Sequence, residues 1–329
     1  MSVAAVIRHS QHGAVRAVVL FLIALIAVVA GGGVWWYQVG RQPAQPDALP
    51  QAERKDTPPA SAARPRPAQR VVSLVPAVTE MLFAIEAGSQ VVGVSSYDTY
   101  PDAVRQLPRV GALVDPDVER VLSLEPDLVV TYGSQEELQQ QLVRAGIAAF
   151  DYRHGGVGHA LDTMRTLGAR TGHAREAVRE TTRISTALAA ITQRVAGRKR
   201  PRTLLVIGRE PLAMRGIYVS AGKGFLHELL TLAGGDDVMG DIPRESVQAT
   251  TETILARAPE VILEVRSGPK PDATTIDRER RAWSRLSGVP AVRSGRVYLL
   301  YDNALVVPGP RMPLAAEQFA RVMHPEAFP

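Results

Sequence analysis

One twelve-residue pattern occurs twice in this chain, and it restricts the fold more than any other feature. Glu119–Val130 reads ERVLSLEPDLVV and Glu252–Leu263 reads ETILARAPEVIL. Each has a glutamate, a proline seven residues on, an acid directly after it, and then an aliphatic run. The physical reading is the same in both places. A short helix starts near the glutamate, and the proline ends it because its ring bars the residue before it from the helical conformation. The acid then leads into a buried strand. Two copies, one in each half of the folded region, predict two lobes of similar construction.

Around these copies the chain alternates strand and helix patterns. β-rich runs lie at Val71–Val75, Val91–Val94, Leu128–Tyr132, Ala148–Tyr152, Thr203–Ile207, Val261–Val265 and Val297–Tyr301. Helical periodicity fills Thr79–Ala87, Pro116–Leu124, Gln135–Ala145, Phe225–Ala233, Thr251–Ala258 and Met312–Met323. Alternation of this kind predicts an α/β fold, with two lobes built on mainly parallel sheets. Between them, Ala177, Thr181, Ile184, Leu188, Ile191 and Val195 fall at helical spacing, and no Gly or Pro interrupts residues 174–196. A helix there is about 35 Å long at ~1.5 Å per residue, enough to act as a single stiff backbone between the lobes. The expected organisation is residues 70–172 as the first lobe, 173–197 as the linking helix and 198–329 as the second lobe, with a ligand cleft between the lobes.

The first 69 residues read differently. Residues 1–16 carry Arg8 and Arg16 and no acid, residues 17–40 carry no charge, and Trp35, Trp36 and Tyr37 close the apolar run. A spanning helix needs about 20 apolar residues, and aromatic residues favour the interface. A cleaved signal needs only a basic start, a shorter apolar stretch and a small-residue cut site, which Val28, Val29 and Ala30 supply. The uncleaved anchor is the favoured reading: residues 1–16 inside, the rest outside. The alternative is a cleaved signal and a soluble periplasmic protein. Residues 41–69 hold seven prolines and seven alanines, a composition suited to an extended spacer.

Composition narrows the function. With no cysteine there is no disulfide framework, thiolate metal site or lipidated cysteine. The net charge of +5 is spread among acids rather than gathered into a basic stripe, which argues against nucleic acid. His154, His159, His173 and His227 lack the spacing of metal ligands. Gly216, Gly222, Lys223 and Gly224 miss the phosphate-loop pattern, and no nucleophile elbow or zinc-protease motif is present.

Residues 70–329 resemble the periplasmic binding proteins of the metal-chelate class, which serve ABC importers of cobalamin, ferric siderophores and haem. The resemblance rests on the opening Arg70–Glu80 segment, the run Val91–Tyr97 with Tyr100 and Pro101, the Glu119 and Glu252 copies, the long linking helix, and Ser287–Pro290 with Gly295–Tyr298. The likeness is strongest to the cobalamin-binding members. It implies a non-enzymatic, monomeric binding protein that delivers a metal chelate, a corrinoid first, to a permease dimer with its ATPase. The alternatives are a ferric-siderophore or haem binder of the same class, a chelatase-like enzyme, or a sensor that has dropped transport.

Residue by residue, the resemblance implies that Tyr97 lines the cleft, that Tyr132 stands where cobalamin binders have tryptophan, that Tyr218 lies near another cleft aromatic and that Asp302 is an acid after the last strand. Pro76 and Ser246 join the ligand-binding set. Leu113 and Ser246 replace two cleft tryptophans, an arginine after the acid is missing from Asn303–Val307, and the step from Asp302 to Arg311 is one residue longer. Arg209, just after a strand, is a candidate partner for an anionic ligand group. Glu119 and Glu252 are implied to dock on basic residues of the permease, one from each lobe. Planar chelates suit such a set, because aromatic side chains cover flat apolar faces with little loss of rotamer freedom.

Overall fold

The computed structural model describes residues 66–133 and 135–328. The expected anchor and most of the proline-rich spacer lie outside the described residues. Among the described residues, no helix is long and apolar enough to cross a membrane.

The first half runs β1 (Val71–Ser73), α1 (Pro76–Ala84), β2 (Val91–Val94), α2 (Val118–Ser123), β3 (Leu128–Tyr132), α3 (Glu136–Arg144) and β4 (Ala148–Tyr152). The strands form one sheet in the order β2-β1-β3-β4, and every pair is parallel. The central strands β1 and β3 are covered on both faces, which explains why every position of each is buried, the polar Ser73 and Thr131 included. Helix α1 starts three residues before the predicted Thr79. Pro76 is its first residue, where the missing N–H costs nothing and the fixed φ suits the helix.

Two helices follow, α4 (Val157–Thr171) and α5 (Ala174–Val195). The sequence reading missed α4, because Gly158 and Gly168 within it look like breakers. Helix α5 is the predicted long rod. It buries Ala177, Thr181, Ile184, Leu188, Ile191 and Val195 and packs on α4.

The second half runs β5 (Arg202–Gly208), β6 (Ile217–Ser220), α6 (Gly224–Leu232), β7 (Asp236–Asp237), β8 (Ser246–Ala249), α7 (Thr251–Arg257), β9 (Val261–Arg266), α8 (Ala273–Arg281), α9 (Pro290–Arg293), β10 (Val297–Tyr301) and α10 (Met312–Met323). Helix α10 packs on both α5 and α6. This sheet departs from expectation. Its order is β10-β9-β5-β6-β8, with β7 also on β5. The β10–β9, β9–β5 and β5–β7 pairs are parallel, but β6 is antiparallel to both β5 and β8. The second sheet is therefore mixed. Strands β6 and β8 are only four residues each, and runs that short carry little period-2 signal.

The repeated sequence is repeated in three dimensions, atom for atom in several contacts. Glu125 and Ala258, each just before the proline, take left-handed backbone with φ of 46° and 47°. The acid after the proline then holds the chain at the start of its sheet. Asp127 accepts from the backbone N–H groups of Gln69 (2.7 Å) and Arg70 (2.9 Å). Glu260 accepts from Arg202 N–H (3.3 Å) and from Lys199 Nζ (2.7 Å). Arg70 donates to the carbonyls of Leu124 and Glu125, and Arg202 donates to that of Arg257. In both halves an arginine leading into the first strand thus satisfies orphan carbonyls at the end of the repeated helix.

Candidate functional site

Strands β3 and β4 end side by side, with Tyr132 in register with Tyr152. In open α/β sheets ligands gather at the carboxyl ends of strands. The two rings lie 6.3 Å apart, and His154, two residues past β4, stands edge-on to both, at 5.2 Å from Tyr132 and 5.4 Å from Tyr152. Tyr132 is buried, and burial pushes its phenol up to about 12. Tyr152 is raised for the same reason. Burial pulls the half-buried His154 imidazole down to about 4, with His159 adding to the effect, so the ring is neutral at physiological pH.

The loop from β4 to α4 is fitted to its neighbours by two glycines. A Cβ on Gly155 would meet the His159 side chain at 2.7 Å, and one on Gly156 would meet Glu228 Oε1 at 1.9 Å. Glu228 comes from α6 in the second half, and its Oε2 accepts from Val157 N–H at 2.7 Å, at the start of α4. A carboxylate there suits the positive end of the helix. Glu245, directly before β8, also reaches this region: its charge raises the pKa of both Tyr132 and Tyr152, and burial raises its own. The aromatic wall of the first half therefore faces acids of the second.

A second set of contacts joins the halves. Glu80 of α1, 4% exposed, receives two hydrogen bonds from Arg311, Nε to Oε2 at 2.8 Å and Nη2 to Oε1. Burial drives the Glu80 carboxyl upward against the pull of the guanidinium. Arg311 also lies 4.1 Å from the centre of the Tyr100 ring and 3.7 Å from Asp302. Asn303 Nδ2 donates to Thr99 Oγ1 at 3.2 Å. Beside these contacts lies a crevice of about 410 Å³, whose lining includes Thr99, Tyr100, Tyr301, Asp302, Asn303 and Arg311.

The structure sorts the residues picked from sequence. Asp302 lines the inter-half crevice, where its Oδ1 accepts from Ala304 N–H at 2.8 Å. Tyr132 stands in the aromatic wall. Tyr97 and Tyr218 are half-buried, Tyr97 just after β2 and Tyr218 within β6, and neither lines the 410 Å³ crevice. Pro76 is half-buried at the start of α1. Ser246 is half-buried on β8, directly after Glu245. Leu113 is buried, and its carbonyl accepts from Gln135 Nε2 at 2.7 Å.

Arg209 is corrected. Its side chain is 0% exposed and its nitrogens are committed to Glu264 (3.1 Å), the Glu279 carbonyl (2.9 Å) and the Ala213 carbonyl (3.1 Å). Trp283 Nε1 donates to the same Glu264 at 2.8 Å. Arg209 thus bolts β5 to β9 and α8 inside the second half and cannot meet a ligand.

Glu119 and Glu252 are each the second residue of their helix and exposed. The capping is equivalent as well: Asp117 accepts from Arg120 N–H (3.0 Å) and Thr250 from Thr253 N–H (3.2 Å). Strand β8 runs parallel to β5, since both are antiparallel to β6. Helix α7 therefore starts at the carboxyl end of the parallel strands, as α2 does in the first sheet.

Sequence reasoning missed Tyr152, Glu228, Glu245, Glu80 and Arg311, and treated His154 only as a bare-metal candidate. Tyr152 was within reach, because it ends a predicted strand just as Tyr132 does. The acids carry no local signal: Glu80 and Arg311 are 231 positions apart.

Comparison with known proteins supplies the lineage. The model of the periplasmic binding protein family matches residues 71–304. The chain belongs to that family. A vitamin B12-binding protein of Salmonella typhimurium is 30% identical over 259 residues, which cover 78% of this chain and 90% of that protein. One from Yersinia pestis is 28% identical over 78% of this chain and 86% of its own length. Among solved structures, the periplasmic vitamin B12 binding protein of Vibrio cholerae superposes with a TM-score of 0.65 at 24% identity, covering 79% of this chain and 98% of that one. A periplasmic haem binding protein of Pseudomonas aeruginosa gives 0.69 at 23%, covering 80% and 95%. These two likenesses speak for the fold: an α/β periplasmic binding protein with a parallel first sheet and a mixed second one.

Proposed function

We propose that this chain is the extracytoplasmic substrate-binding component of an ABC importer for a metal chelate, with a corrinoid as its cargo. The 30% identity to a vitamin B12-binding protein across 90% of that protein's length carries the reading. The residues fit the cargo. A corrin offers a flat apolar ring and polar edge amides, and the half-buried His154, backed by the buried Tyr132 and Tyr152, stands at the strand ends where Glu228 of the second half reaches the first. On this reading residues 70–172 and 198–329 are two lobes, 173–197 is the rod between them, and the ligand lies where the lobes face each other, with Tyr97, Tyr132, Tyr218, Ser246, Pro76 and Asp302 around it.

Glu119 and Glu252 are the docking pair. Each is an exposed carboxylate on a capped helix start, one per half, suited to orient the protein on basic residues of a permease dimer. The uncharged stretch 17–40 serves as the anchor and 41–69 as the spacer, holding a monomeric binding protein on the periplasmic side of the inner membrane. The test is to titrate the full chain with cyanocobalamin, ferric haem and a ferric hydroxamate, following each chelate's visible absorption. Saturable submicromolar binding of the corrinoid, with weaker binding of the other two, is the expected result. Binding of none would refute the reading.

A further inference from the structure

The two halves meet differently at the two edges of the first sheet. Its edge strands are β2 and β4, three strand spacings or about 14 Å apart. At the β4 edge, Glu228 of α6 reaches across to Val157 N–H. At the β2 edge, the segments leaving β2 meet those leaving β9 and β10, and the crevice of about 410 Å³ lies between them. That volume is near the lower end of the ~300–1,000 Å³ that small-ligand sites span, room for one appendage of a cargo rather than for a whole macrocycle.

Tyr100 dominates the first-half wall of this crevice. It is 44% exposed, yet its ring is held: the Arg311 guanidinium lies 4.1 Å from its centre, and Glu80 fixes that guanidinium with two hydrogen bonds. Tyr301 lines the crevice from the second half. Rings on two facing walls suit a flat aromatic group between them. The charges at the rim are unequal in what they have left to give. Of the two acids in the lining, Asp102 is engaged by Arg105, and Asp302 by Ala304 N–H and Arg311. Lys270 is exposed and in no ion pair among the described residues. Its loop is pinned by Asn303, whose Oδ1 accepts from Gly268 N–H at 2.7 Å while its Nδ2 donates to Thr99 across the halves. The crevice therefore offers aromatic faces beside an unspent cation.

A flat aromatic group joined to an anion answers that combination. A complete corrinoid carries one, a heteroaromatic base on a sugar phosphate appended to the macrocycle. We propose that the crevice between Tyr100 and Tyr301 is a subsite for this nucleotide arm, with the base against Tyr100 and the phosphodiester near Lys270. Tyr100 and Lys270 touch the cargo, while Arg311 and Glu80 are positioning residues that hold the Tyr100 ring. The inference rests on the corrinoid reading above and narrows it to corrinoids that keep the arm.

The experiment titrates the full chain with cyanocobalamin and with dicyanocobinamide, the same macrocycle without the arm, following visible absorption. The wild type should prefer cobalamin by at least about 10-fold, the scale of one base–aromatic stack. In Tyr100→Ala the preference should fall to under about 2-fold. In Lys270→Glu, a change on an exposed side chain, it should fall by about 3-fold. Equal binding of the two corrinoids by the wild type, or a preference unmoved in both variants, overturns the subsite and leaves the importer reading standing. Should Tyr100→Ala bind neither corrinoid, Lys270→Glu decides: a fall of about 3-fold supports the subsite and an unmoved preference overturns it. A wild type that binds neither corrinoid removes the subsite and the corrinoid cargo together.

Discussion

The two halves share a frame and differ in their walls. In each, an arginine leading into the first strand, a capped helix with glutamate at its second position, a left-handed residue before proline and an acid after it occupy matching places. Yet the first sheet is wholly parallel and ends in the tyrosines of β3 and β4, while the second inserts antiparallel strands and hides an Arg209–Glu264–Glu279 cluster under Trp283. The shared parts are local: each is fixed by residues within one helix, turn and strand. The divergent parts are assembled across the chain. What repeats is thus the frame that presents a matched pair of exposed acids, and what differs is the sheet and the side-chain clusters built on that frame.

The sharpest way to break this comparison is inside the second half's own cluster. Arg209→Met removes one of the two arginines that neutralise Glu264 and Glu279, leaving Arg266 as their remaining cation, and losing a partner of such a buried group costs up to about 3–5 kcal/mol. Urea unfolding of the variant should show that loss, and a change under 1 kcal/mol would mean that the cluster is not the internal bolt described here.

A counterpart in the first half works in the opposite direction. Asp98 is 2% exposed, and neither of its carboxylate oxygens has a well-formed hydrogen bond among the described residues. Burial raises its carboxyl to about 7 from the 3.8 of a free side chain. The folded state therefore holds this proton more tightly than the unfolded state does. That favours folding at low pH, and the advantage is lost as pH rises from near 4 to near 7. Asp98→Asn should stabilise the protein by about 2–4 kcal/mol at pH 8, with the gain fading towards pH 4. A gain independent of pH would contradict the protonation argument.

The smallest effect tests the frame itself. Asp127 holds two backbone N–H groups, whereas Glu260 holds one, at 3.3 Å, and spends its other oxygen on an exposed lysine. Asp127→Ala should thus cost about 1–2 kcal/mol and Glu260→Ala only about 0.5. Equal losses by chemical denaturation would show that the two anchors are energetically interchangeable.

The same division explains what the sequence disclosed. All seven strands expected from it are present, along with the long rod, because aliphatic runs and a 3.6-residue stripe are local signals. Helix α4 escaped because it carries two glycines, and one of them answers to a neighbour: Gly168 packs where a Cβ would lie 2.5 Å from that of Ala177 on α5. Arg209 was misjudged for a related reason. A charge after a strand looks solvated until Glu264 and Glu279, contributed by β9 and α8, close over it. In the site, Tyr132 and Asp302 came from resemblance, and Tyr152 needed only the register of β3 with β4. Glu80, Arg311, Glu228 and Glu245 come together only through tertiary packing.

One measurement bears most directly on the account, in which a repeated frame serves transport while unrelated walls serve binding. Cells carrying the Glu119→Ala/Glu252→Ala double variant should lose corrinoid uptake by about 100-fold, the scale on which paired charges govern docking. The purified variant should bind cyanocobalamin as the wild type does. Uptake that persists in those cells, or cargo affinity that falls along with it, would contradict the separation of the two roles.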